Sequence, residues 1–158
     1  MTIKIEHTEP VDILLVEDNP NDALLTIRSL KEYRLANNII HVTDGQAALD
    51  YLYGEGEYAG RDVLKLPKAI LLDLKLPKLN GLEVLKKIRS VEQTKCMPVI
   101  ILTSSQEESD LIDSYKMGAN SYIVKPVEFE NFAAAIKQVG FYWLLLNKLP
   151  IIKPVHES

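Results

Sequence analysis

Cysteine is almost missing from this chain. Cys96 is the single thiol in 158 residues, which excludes an intramolecular disulfide and points to a reducing compartment. Histidine is scarce too, at three residues, and no His/Cys grouping at zinc-ligand spacing can be drawn from so few. A basic excess is absent: the formal net charge is −4, which argues against a nucleic-acid surface. No apolar run approaches the ~20 residues needed to cross a bilayer; residues 141–146 are the longest near the end. Residues 1–10 are polar, without the apolar centre of a signal peptide. A cytoplasmic, single-domain protein without a membrane segment is expected.

What is present is a regular alternation. Strand-like runs fall at 12–17, 39–42, 69–72, 99–103 and 122–124. The first, third and fourth are nearly unbroken in Val, Ile and Leu, as strands buried on both faces require. The second carries His41, which suits a position nearer an edge. Between them lie amphipathic stretches. Asn19-Pro20 opens the first, with Ala23, Leu24, Ile27 and Leu30 on one face. Thr43 or Asp44 can cap the second, which carries Ala48, Leu49 and Leu52. Leu82, Leu85 and Ile88 mark the third, after Gly81. Leu111, Ile112 and Tyr115 mark the fourth, which stops at Met117-Gly118. The fifth starts near Glu128 and runs through Phe132, Ile136 and Val139 towards Leu146. Five such βα units predict an α/β fold, a doubly wound parallel sheet with helices on both faces. The glycine-bearing connection over 54–67 is long enough to be functional.

Chemistry concentrates at the strand ends. The first strand ends in Glu17-Asp18 and the third in Asp73. Neighbouring strands across a switch point would bring these three carboxylates into one crevice. At about 4 Å and an effective dielectric of ~20, each like-charge pair costs on the order of 4 kcal/mol, so the cluster calls for a cation. Oxygen-only donors suit Mg²⁺. Thr103 and Ser104 end the fourth strand with hydroxyls, and Lys125, before Pro126, ends the fifth with a positive charge. A carboxylate nucleophile, a hard cation, a hydroxyl and an ammonium together suit phosphoryl transfer. Taken singly, each residue has a structural reading: a solvated turn acid, a β-forming threonine, a surface lysine. Their joint occurrence at strand ends sharing one edge favours a site.

The sequence resembles the receiver domain of two-component response regulators. The matching segments are Leu15-Val16-Glu17-Asp18-Asn19, Leu71-Leu72-Asp73-Leu74, Leu76-Pro77 with Asn80-Gly81, Ile101-Leu102-Thr103-Ser104, Gly118-Ala119 and Lys125-Pro126. The resemblance implies a flavodoxin-like (βα)5 sheet of strand order 2-1-3-4-5. It divides the chain into an extension over 1–10, a receiver domain over 11–149 and a tail over 150–158. By the same resemblance, Asp73 accepts a phosphoryl group from a histidine kinase, and Asp18, with Glu17 acting through water, holds Mg²⁺ beside it. The backbone carbonyl of Lys75 is implied as a further ligand. Thr103 would hydrogen-bond the phosphoryl group and Lys125 would pair with it, with a cis peptide to Pro126. Tyr122 matches the aromatic that changes rotamer on activation. Two departures are Ser104, where a smaller residue is frequent, and Lys75, a long cation where side chains influence dephosphorylation; an altered phosphoryl lifetime follows, without a sign. The 54–67 insertion and the chain length also resemble the small regulators that partner bacterial phytochromes.

Past Lys125 one helix and a tail remain, so a stand-alone receiver acting through protein contacts is expected. Phe141, Tyr142, Trp143 and Leu145 are candidates for a homodimer surface on the fifth helix, unless Ile151-Ile152 cover that face. The alternatives are a scaffold or phosphate sink without its own output, a phosphohydrolase on a related fold and a flavodoxin-like electron carrier. The phosphohydrolase needs a second acid where Lys75 stands, and the electron carrier a glycine-rich phosphate loop where Glu17-Asp18-Asn19-Pro20 would repel an anion.

Overall fold

Alternating side-chain direction along the strands sorts the apolar side chains into two cores. In the computed structural model, which describes residues 11–104 and 109–138, strands β1 (Ile13–Val16), β2 (Ile39–Val42), β3 (Ala69–Asp73), β4 (Val99–Thr103) and β5 (Ser121–Val124) form one parallel sheet. Its order is β2-β1-β3-β4-β5. β1, β3 and β4 are buried at every position, as strands covered on both faces must be. β2, with its half-buried His41, lies at one edge.

Helices α1 (Pro20–Glu32) and α5 (Phe129–Gln138) supply residues to one core, and α2 (Gly45–Tyr53), α3 (Gly81–Ser90) and α4 (Ser109–Lys116) to the other. Ile13, Leu15, Leu71, Ile100 and Ile123 meet Leu30, Phe132 and Ile136. Leu14, Val16, Ile70, Leu72 and Ile101 meet Leu52, Leu85 and Ile88 on the opposite face. The period of two along each strand sets this division, and a one-residue slip would exchange the two sets.

Three expectations shift by a residue or a face. Leu24 does not join the buried stripe of α1; it is 53% exposed, and the buried positions are Ala23, Thr26 and Leu30. At 100° per residue Leu24 is rotated off the stripe that 23, 26 and 30 define. On α4, Ile112 and Tyr115 are exposed while Leu111 and Ser114 are buried. β5 begins at Ser121 rather than Tyr122. The second helix is capped by Asp44, whose side chain accepts the N–H of Ala47 at 2.7 Å. The fifth helix beyond Gln138, including Val139, Phe141, Tyr142, Trp143 and Leu145, lies outside the described residues.

The 54–67 connection is tied down rather than open. Arg61 donates through Nε to the Tyr51 carbonyl at 2.6 Å and through Nη2 to the Leu52 carbonyl at 3.2 Å. Its guanidinium also lies 4.1 Å from the centre of the Tyr51 ring. The loop thereby finishes α2, whose last carbonyls would otherwise lack partners.

Local structure at α3 brings backbone close to Asp73. Asn80 and Glu83 form a reciprocal capping box, with both hydrogen bonds at 3.0 Å. Gly81 follows, and its N–H donates to the Leu74 carbonyl at 2.8 Å. A Cβ at position 81 would stand 2.5 Å from the carbonyl oxygen of Asp73. Gly81→Ala must therefore displace the β3–α3 turn. A loss of about 1–3 kcal/mol is expected, as for other overpacked sites, read as a lower urea midpoint with an unchanged slope; an unaltered midpoint would contradict the close approach.

Candidate functional site

The carboxyl ends of β1, β3, β4 and β5 converge on one cavity of about 210 Å³. Glu17, Asp18, Asn19, Asp22, Asp73, Lys75, Thr103, Ser104 and Lys125 line it. This is the crevice at the switch in strand order where open α/β sheets bind their ligands. Glu17 and Asp73 are buried and Asp18 is exposed. Carboxylate oxygens of the three lie within 4.8 Å of one another. Hard oxygen donors at this spacing form an acidic triad that can hold a divalent metal ion.

Lys125 stands among them. Its Nζ donates to Asp73 Oδ2 at 2.9 Å, Asp22 Oδ2 at 3.0 Å and Glu17 Oε1 at 3.1 Å. The other oxygen of Asp73, Oδ1, accepts the backbone N–H of Lys75 at 3.0 Å. The backbone N–H of Lys125 donates to the Thr103 carbonyl at 2.8 Å, which carries the β4–β5 ladder to the rim of the site. The Lys125–Pro126 peptide is cis.

Glu17 is held from both sides. Its Oε2 accepts the N–H of Asn19 at 3.1 Å, and its carbonyl accepts from His41 Nε2 at 2.8 Å. Burial, with a hydrogen bond to Asp73, pushes the Glu17 carboxyl up to about 7, against the lowering effect of the Asn19 N–H and Lys125. Burial works against the ammonium of Lys125. Hydrogen bonds to Asp73, Asp22 and Glu17 outweigh it, and its pKa is raised.

Of the residues singled out in the sequence, Glu17, Asp18, Asp73, Lys75, Thr103, Ser104 and Lys125 share the cavity wall. Tyr122 does not. Its ring meets Tyr115 of α4 edge-on, with centroids 6.2 Å apart. Residue parity places Thr103 and Tyr122 on one face of the sheet, since Tyr122 pairs with Ile101, two residues before Thr103. Asp22 was missed in the sequence. Its place in the first turn of a helix opened by Asn19-Pro20, just after Glu17-Asp18, was the one local sign.

Sheet order, strand-end acids and the lysine together define a receiver domain. The response regulator receiver domain family matches residues 13–137, and the chain belongs to it. It is similar to the bacteriophytochrome response regulator RtBRR, at 53% identity over 84% of this chain and 79% of that one, with a TM-score of 0.77. It is also similar to the Mn²⁺-bound form of response regulator Rcp1, at 37% identity over 85% of this chain and 95% of that one, with a TM-score of 0.68; Rcp1 is from Synechocystis. A further relative is the "Probable methanogenesis regulatory protein FilR2" of Methanothrix harundinacea, 40% identical over 92% of each chain. Among the described residues no helix is long and apolar enough to cross a membrane.

The raised Glu17 pKa has a consequence for stability. Between about pH 4.5 and 7 the native state keeps a proton that the unfolded chain has released, so stability falls as pH rises through that window. With a chelator present, the unfolding free energy should decline from pH 5 to pH 8, and Glu17→Gln should flatten the decline. An equal slope in that variant would refute the assignment to Glu17.

Proposed function

We propose that this receiver takes a phosphoryl group from a histidine kinase onto Asp73 in a Mg²⁺-dependent reaction and signals through phosphorylation-dependent protein contacts. One observation carries the reading above the others. Asp73, at the C-terminal end of the central strand, presents a buried carboxylate with each oxygen on its own donor, inside an acidic triad.

The residues divide the work as follows. An Asp73 oxygen attacks the phosphorus of the donor phosphoimidazole; a P–O bond forms and the P–N bond breaks. The electron pair leaves with the imidazole nitrogen, which takes up a proton. Lys125, already 2.9 Å from Asp73, can pair with the incoming phosphoryl oxygens, and Thr103 can hydrogen-bond to them. Preorganised charge of this kind needs little rearrangement as the reaction proceeds. Glu17, Asp18 and Asp73 would hold Mg²⁺, with the Lys75 carbonyl as a further ligand. When bound, the cation neutralises charge on the equatorial oxygens. The fit of three carboxylates to a hard cation supports this, as does the Mn²⁺ in the similar Rcp1 structure. Likeness to RtBRR supports a bacterial phytochrome as the kinase partner.

Output follows from the same contacts. Thr103 moving towards the phosphoryl group would free space for the Tyr122 ring, now against Tyr115, and reshape the surface formed by α4 and β5. This is a population shift biased by local bonds. A homodimer through the fifth helix and Phe141, Tyr142, Trp143 and Leu145 belongs to the same proposal, as does a receiver domain reaching from 11 to 149. The apolar composition of 141–146 supports both.

Acetyl phosphate with Mg²⁺ should label the wild-type protein with one phosphoryl group, and Asp73→Asn should abolish it. Intact-mass measurement decides, and wild-type labelling of Asp73→Asn would sink the acceptor assignment. Thr103→Ala should still be labelled while partner affinity no longer changes on phosphorylation. An affinity switch of undiminished size in that variant, measured by calorimetry with the kinase, would remove the coupling.

A further inference from the structure

We propose that Asp22 is a positioning residue for Lys125, drawing the ammonium to the solvent side of the acidic cluster so that Glu17, Asp18 and Asp73 can take a divalent cation. The proposal rests on the cation-binding reading above and adds to it the residue that keeps the lysine out of the cation's way.

An ammonium has three N–H donors, and Lys125 has three carboxylate acceptors between 2.9 and 3.1 Å. Two of them, Glu17 and Asp73, also belong to the triad that can hold a metal ion. A dication and an ammonium therefore compete for the same oxygens and repel one another. Asp22 is the acceptor outside the triad. Its side chain is 36% exposed, against 0% for Glu17 and 9% for Asp73, so it lies on the solvent side of the lysine. It offers Lys125 a counter-charge that the cation does not use.

The local sequence fixes Asp22 in that place. Pro20 starts α1, and Asn19 caps it by accepting the Asp22 N–H at 3.0 Å. Asp22 is thereby held in the first turn of the helix, pointing a carboxylate into the cavity mouth. An acid at that place also favours the helix through the macrodipole. That role would act on stability whether or not Lys125 were present, and the two roles can be separated.

Titration calorimetry with MgCl₂ should show Asp22→Asn binding about fivefold more weakly than wild type, a coupling of ordinary size for residues in one charge network. In a Lys125→Met background the same substitution should change affinity by less than about twofold. Equal weakening in both backgrounds would overturn the proposal, because Asp22 would then act as a plain negative charge. So would an unchanged affinity in the wild-type background. A second measurement does not need the Lys125 variant to fold. In the metal-free protein, Asp22→Asn should shift the Lys125 Nζ resonance while the Leu30 and Phe132 amide signals stay in place. An unmoved Nζ signal would overturn the proposal. Wild-type protein that binds no Mg²⁺ would overturn the cation reading itself, which is distinct from wild-type binding that Asp22→Asn leaves untouched.

Discussion

Everything at the functional end of this molecule depends on one ammonium set among carboxylates. Glu17, Asp22 and Asp73 come within 3.1 Å of Lys125 Nζ, and Asp18 adds a further charge to the same cavity. Without a cation, like charges at such spacing would repel by several kcal/mol even at an effective dielectric of ~20. Lys125 is a cation that this chain brings to the cluster, from 108 residues away in sequence to Glu17. The protonation of Glu17 near pH 7 is the other way the cluster sheds charge. Both devices hold three carboxylates together where a hard metal ion can take the place of the proton and compete with the lysine for the acids.

The packing explains why so unfavourable a cluster persists. β1, β3 and β4 are buried on both faces, so their ends are held in register by two cores rather than one. The turns after them are fastened individually. Asn19 caps α1 beside Glu17, the Asn80–Glu83 box starts α3, and Gly81 lets that helix approach the Asp73 backbone. Away from the site, Arg89 ties α3 to the turn before β5 through the Gly118 carbonyl and the Asn120 side chain, and to the segment before β4 through the Met97 carbonyl. A scaffold with two filled cores under a densely charged edge is the arrangement expected where function conflicts with stability. Breaking a buried ion pair by removing one partner is costly because the other charge is left uncompensated.

Much of this was legible in the sequence. Parallel strands buried on both faces read as unbroken Val/Ile/Leu runs, and β1, β3 and β4 stand where those runs stand. His41 marked an edge strand correctly, because a polar ring has nowhere to go between two helical layers. Leu24 misled, because an apolar residue next to the true stripe of α1 cannot be told from a member of it by composition. Asp22 went unnoticed for a related reason: an acid in the first turn of a helix is ordinary, and nothing local shows that a lysine from β5 will reach it.

By itself the sequence determined the order of elements, the helix opening at Asn19-Pro20, a cap at Thr43 or Asp44, and the acids, hydroxyls and lysine at the strand ends, since these follow from local periodicity and turn chemistry. Only the tertiary structure decided which of those charges touch. The Lys125 contacts, the depth of Glu17 and its raised pKa, and the separation of Tyr122 from the cavity wall all depend on strand register and helix packing across the whole sheet. Such non-local distances are set by how the two cores fill, and no stretch of sequence around any one of these residues contains them.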